Sequence, residues 1–134
     1  MIKRYSDNDV SELWSDGNKL RLWQKTELAV IKARVNLSLI EKSVSKRISE
    51  TLLSHEIDID WWLNRDKETG HDLNAFLDER SRFLPIDLQP YFHQGMTSYD
   101  TEEAAFASML SGSVKLLSEK ISPIKEALKS LAHR

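Results

Sequence analysis

Over the last third of the 134-residue chain, apolar side chains recur at Phe106, Leu110, Val114, Leu117, Ile121, Ile124, Leu128 and Leu131. The steps of 4, 4, 3, 4, 3, 4 and 3 lie between the heptad and ideal-helix periods, the signature of a bundle helix with one apolar seam. The seam spans about 25 residues, roughly 38 Å at 1.5 Å per residue. The preceding chain has few long elements to cover such a length. Other helices are therefore expected to cover it, from another copy or from sequence outside this chain. Pro123 leaves two readings open: one long helix kinked there, or a new helix with Ser122 as N-cap and Pro123 in its first turn.

Composition narrows the class further. With 19 Lys and Arg against 21 Asp and Glu, the formal charge of −2 argues against a nucleic-acid partner. The chain has no cysteine, which removes disulfides and thiolate chemistry and fits a reducing cytoplasm. No apolar run approaches the ~20 residues of a membrane span. Only 4 Gly and 3 Pro are present, too few for turn-rich β architectures. The expectation is an all-α protein, cytoplasmic, with neither nucleic acid nor membrane as partner.

Reading from the start, Ser6 followed by Asp9 fits a capping box for a short helix that reaches about Ser15 and stops near Gly17. A second helix runs from Asn18 to about Leu37, with Leu20, Leu28, Ile31 and Val35 on one stripe. Its Leu28-Ala29-Val30-Ile31 run predicts burial on more than one face. A third carries Ile40, Val44, Ile48 and Leu52, each four apart, and ends near Ser54. Asp58 or Asp60 caps a fourth helix, which Gly70 terminates in a left-handed conformation after Thr69. Asp72 can cap a fifth, with Leu73, Phe76, Leu77 and either Arg80 or Phe83 inward. Leu84 to Pro90 reads as a loop, since each proline disfavours helix in the residue before it.

Two polar stretches stand out chemically. His71-Asp72 lies at a helix N-terminus, where backbone N–H groups favour anions; either it is functional or Asp72 is a cap beside a solvated His71. His93 through Asp100 is similar: the Thr97 and Ser98 hydroxyls either hold a carboxylate or cap the terminal helix, with Asp100 in its first turn. Arg4-Tyr5 can grip a phosphate and a ring. His55 and His133 read as surface residues. No histidine pair has i, i+4 spacing and no HExxH occurs, so no metal is expected, and nothing calls for a cofactor. The residues by themselves name no reaction.

Taken in order, three segments resemble a known family. They are M-I-K-R-Y-S with Leu13-Trp14-Ser15 and Lys19-Leu20…Trp23; Lys67-Glu68-Thr69-Gly70-His71-Asp72; and His93-Gln94-Gly95-Met96-Thr97-Ser98-Tyr99-Asp100. They are similar to the RYS…IWS…K…W, E-T-x-H-D and H-x-G-x-T-S-x-D segments of the adenylosuccinate lyases, in the fumarase/aspartase superfamily. The resemblance implies the N-terminal portion of such an enzyme: a small helical domain over residues 1–96, then from 97 to 134 the first long helix of a central bundle. It implies β-elimination of fumarate from adenylosuccinate and a related succinyl-carboxamide ribotide in purine synthesis, by a homotetramer whose sites draw on several subunits. By carry-over, His71 is catalytic. Arg4 and Tyr5 contact the phosphate end of the nucleotide, Asp72 and His93 line the pocket, and Thr97 and Ser98 hold a succinyl carboxylate. The family's acid histidine and mobile-loop base serine have no counterpart here, so the chain alone is expected to be inactive. Tyr99 and the acids after it depart from the family's V-x-D-T-A-like stretch, and Gln94 stands where an aromatic residue is common. A sister lyase with another substrate and a non-catalytic helical interaction module are the alternatives.

Overall fold

The computed structural model describes residues 3–133; Met1, Ile2 and Arg134 lie outside it, and with them the first two letters of the M-I-K-R-Y-S resemblance. Six α-helices follow one another: α1 (Asn8–Leu13), α2 (Asp16–Asn36), α3 (Lys42–Leu53), α4 (Ile59–Thr69), α5 (Asp72–Ser81) and α6 (Ser98–Ala132). Two 3₁₀ turns, Lys3–Tyr5 and Gln89–Tyr91, complete the regular structure, and no strand occurs among the described residues. The all-α expectation holds. None of the described helices is long and apolar enough to cross a membrane.

Local chemistry explains most boundaries. The first helix is capped by Asp7 and not by Ser6: Asp7 Oδ1 accepts the N–H groups of Asp9 (3.1 Å) and Val10 (3.2 Å). A carboxylate satisfies two orphan donors and sits favourably at the positive helix end. Gly17 does not stop this helix. Ser15 Oγ accepts the Asn18 N–H at 3.2 Å and starts α2, which places Gly17 in its first turn. The third stripe is buried as expected, with Ile48 and Leu52 in the core and Val44 packed against it, but Ile40 packs there from outside the helix, which starts only at Lys42. Asp58 caps α4 by accepting the Trp61 N–H at 3.0 Å.

The core gathers Leu20, Trp23 and Ile31 of α2 with the inner faces of α3, α4 and α5, and Trp23 meets Phe76 edge-on at 5.5 Å. Of the Leu28–Ile31 run only Ile31 is buried, so that burial expectation fails. The buried face of α2 instead carries Gln24 and Glu27. Between the two candidates for the inner face of α5, the structure selects Arg80. Its guanidinium is fully buried and donates to Gln24 Oε1 (3.1 Å), to the carbonyls of Leu52, His55 and Glu56, and to both oxygens of Glu79. The Nη1 and Nη2 donors tie α5 to α2, to the end of α3 and to the turn after it, while Nε and Nη2 also engage Glu79 on α5 itself.

The terminal helix is continuous through Pro123, which settles the two readings in favour of one helix. At about 1.5 Å per residue its 35 residues reach roughly 52 Å. Its first half docks on α1 and α2 through Thr101, Ala105 and Met109, one per turn. Gly112 permits the approach of α1, since a Cβ there would lie 3.0 Å from Leu13 Cδ1. The apolar seam points elsewhere: Phe106 is 46% exposed and Leu131 62%, with every seam position between them similarly open.

Candidate functional site

Two helix starts build the candidate site. Gly70 ends α4 with φ 62° and ψ 23°, a left-handed turn that glycine adopts at no steric cost. The chain reverses into extended His71 (φ −150°, ψ 105°), which is itself the N-cap of α5. Its Nδ1 accepts the Asn74 N–H at 3.4 Å. The alternative in which Asp72 caps is therefore wrong. Asp72 lies in the first turn, its carbonyl held by Trp62 Nε1 (2.9 Å), its Oδ1 by the Leu73 N–H (2.9 Å) and its Oδ2 facing Lys19 Nζ at 3.5 Å. Lys19 in turn lies over the rings of Trp62 (4.7 Å) and Trp23 (5.0 Å), which fixes the ammonium beside the site.

The second start belongs to α6. Thr97 is its N-cap, and Asp100 returns to the Thr97 N–H at 2.7 Å, closing a capping box. Ser98 is thereby the first helical residue. Its Oγ lies 3.3 Å from His71 Nε2, across 27 positions of sequence. With the His71 Nδ1 lone pair engaged by an amide, the neutral ring carries its proton on Nε2 and donates it to Ser98 Oγ. The serine hydroxyl hydrogen is left to donate onward.

An open cleft of about 670 Å³ lies between the two starts, lined by Asp66, Gly70, His71, Asp72, Thr97, Ser98, Tyr99 and Glu102. Two helix N-termini supply positive field and one imidazole supplies a donor, against three carboxylates in the lining. The cleft therefore favours a ligand that presents both acceptors and donors over a simple anion. His71, Asp72 and Glu102 bring ligand-type atoms within 4.8 Å of one another. His71 and Asp72 are already engaged by backbone amides, Ser98 and Lys19, and a cation would have to displace those partners.

Of the residues singled out from sequence, His71, Asp72, Thr97 and Ser98 come together here. Arg4, Tyr5 and His93 do not. Arg4 and Tyr5 are exposed and stack on each other, with the guanidinium 4.9 Å from the ring centroid. His93 has a left-handed φ of 55° and turns inward, its Nδ1 lying 2.8 Å from Oε1 of the fully buried Glu27. Gln94 is occupied by Arg34, which donates to its side chain (2.6 Å) and its carbonyl. Tyr99 lines the cleft and does not face away. Asp66 and Glu27 escaped the sequence reading. Glu27 left a signal nonetheless: it falls on the Leu20, Trp23, Ile31 stripe, where a carboxylate has no packing reason to be.

These features define a class: an α-helical chain with a polar cleft at two helix N-termini, carried on a long helix whose apolar seam the described residues leave open. No protein-family model matches the chain. Curated proteins do, over nearly all of it. It is 31% identical over 134 residues to an adenylosuccinate lyase of Thermotoga maritima, 27% over 132 residues to that of Aquifex aeolicus, and 29% over 132 residues to that of Bacillus subtilis. In each case the alignment covers 98–100% of this chain and 30% of the relative, so the chain spans about a third of the length of the proteins it matches. Over its whole length the chain is similar to a stretch of the adenylosuccinate lyases, consistent with the N-terminal part of such a protein.

Proposed function

We propose that this chain forms part of the active site of a C–N lyase that releases fumarate from adenylosuccinate, and from the related succinyl-carboxamide ribotide, in purine nucleotide synthesis in the cytoplasm. The observation that carries the reading is the His71 Nε2 to Ser98 Oγ contact of 3.3 Å, which joins two helix N-termini in one cleft. On this reading Ser98 and Thr97 hold a succinyl carboxylate at the α6 N-terminus. His71, the catalytic group of this chain, donates from Nε2 to the reacting part of the substrate. Asp72, held by Lys19 and Trp62, keeps the α5 start in place.

The open seam of α6 supports a homotetramer, in which residues 97–134 are the first bundle helix and residues 1–96 a separate helical domain. Burying a seam leucine or isoleucine would contribute about 1.5–3 kcal/mol each, which exposure forgoes. Arg4, Tyr5 and His93 do not line this cleft; on this reading Arg4 and Tyr5 contact the phosphate end of the nucleotide and His93 lines the pocket in a site completed by another copy.

The carboxylates favour one second reading. Asp66, Asp72 and Glu102 would suit a substrate with a cationic guanidinium, as in a sister lyase acting on argininosuccinate. Titrating the isotope-labelled chain with each compound separates the two. Adenylosuccinate should shift the backbone amides of residues 70–73 and 97–102, and His71→Ala or Ser98→Ala should abolish the shifts. Shifts from argininosuccinate alone would favour the sister lyase. No perturbation in the cleft by either at millimolar concentration would leave both readings without support.

A further inference from the structure

Glu27 is fully buried on α2, and its two oxygens are treated unequally. Oε1 accepts from Thr101 Oγ1 at 2.6 Å and lies 2.8 Å from His93 Nδ1. Oε2 has no hydrogen-bond partner among the described residues. Apolar burial alone would be served better by leucine at this point of the stripe, so the carboxylate is retained for what it holds. What it holds is the entrance to α6. Thr101 lies one turn after Ser98, and His93 lies four residues before the N-cap Thr97. Between them the chain passes through two left-handed residues, His93 (φ 55°) and Gly95 (φ 66°). A non-glycine residue keeps such a φ only where its surroundings over-determine it.

We infer that Glu27 is a positioning residue: its carboxylate fixes His93 in the Nδ1–H tautomer, leaving Nε2 as a hydrogen-bond acceptor. Glu27 Oε1 already accepts the Thr101 hydroxyl hydrogen, so it meets His93 as an acceptor and the hydrogen between them sits on Nδ1. The same Thr101 hydroxyl holds the carboxylate in its orientation towards His93. His71 has the reverse arrangement, Nδ1 accepting and Nε2–H donating. The two histidines that flank the α6 start are thus set to opposite characters, one donor and one acceptor, by partners that differ in kind: a backbone amide for His71 and a buried carboxylate for His93. Such a split is how one scaffold divides proton-donating and proton-accepting tasks between like side chains. Only the use of that division in fumarate release rests on the proposed lyase function; the tautomers themselves do not.

Nitrogen-15 spectra of the histidine rings in the intact 134-residue chain, taken at a pH above histidine titration, test this without any substrate. His93 should show an N–H type Nδ1 and a lone-pair type Nε2, by about tenfold or more in population, and His71 the mirror pattern. In Glu27→Gln the charge is lost at constant shape, and His93 should relax towards a mixture of tautomers while His71 stays as it was. An Nε2–H form or a doubly protonated ring at His93 in the unsubstituted chain overturns the inference, and so does an unchanged His93 spectrum in a folded Glu27→Gln variant. If that variant does not fold, the unsubstituted spectrum alone decides.

Discussion

Glu79 and Glu27 are both fully buried carboxylates, yet their surroundings differ sharply. Glu79 is sated: Oε1 accepts from the Asp58 N–H (3.1 Å) and from Arg80 Nη2 (2.8 Å), while Oε2 accepts from Arg80 Nε. Its arginine is in turn consumed by side-chain and main-chain oxygens of three further segments. Glu27 has two donors on one oxygen and none among the described residues on the other. A buried charge costs several kcal/mol to desolvate, and only a full set of partners offsets that. The first carboxylate is a fastening between helices. The second is left with unspent accepting capacity beside a histidine, at the start of the helix that forms the cleft.

Removing the arginine should break this contrast most visibly. Arg80→Met strands Glu79 as an uncompensated buried charge and should lower unfolding stability in urea by about 3–5 kcal/mol. A loss below about 1 kcal/mol would mean that the pair is not the fastening described. Thr101→Val removes one of the two donors to Glu27 at nearly constant volume. It should cost less, about 1–3 kcal/mol, by widening the deficit on a carboxylate already short of partners.

The smallest effect belongs to a surface carboxylate, which serves as the reference for both buried ones. Asp7 is held below the ordinary carboxylate range, chiefly by its hydrogen bond from Lys120 (2.7 Å) and then by the Val10 amide. Lys120 is raised by the same bond and by the charge of Asp7. The aspartate contribution is therefore complete above its unfolded pKa and is lost as pH falls through the lowered folded value. The lysine contribution is complete below its unfolded pKa and is lost as pH rises through the raised one. Melting temperature against pH should accordingly lose a shallow acid-side decline in Asp7→Asn, by less than Thr101→Val loses at neutral pH. A larger effect at Asp7 would reverse the ranking of buried over exposed carboxylates.

Several features were legible in the residues because they depend on neighbours within a turn. Gly70 and the Asp58 cap are of this kind, and so are the fourfold stripe of α3 and the terminal helix. The same locality explains the errors. His71 and Asp72 are both able to cap α5, and the tie is broken from outside the segment: Trp62 and Lys19 hold Asp72, which leaves the cap to His71. The stripe through Leu28 and Val35 missed Glu27 because a charged residue is ordinarily assigned to the outer face. No local pattern could reveal that the His93 ring meets a carboxylate 66 positions earlier. Tyr99 was undecidable for a similar reason, since a helix start can present its second residue to either side.

Residue order alone settles that this chain is helical, where most of its helices start and stop, and which family its motifs match. All of these follow from periodicity, caps and short segments, whose interactions reach four residues at most. Which polar groups meet is another matter. The Ser98 to His71 contact, the burial of Arg80 and the bridge from Glu27 to His93 and Thr101 exist only because packing brings distant segments into hydrogen-bond contact, and no local propensity encodes that approach.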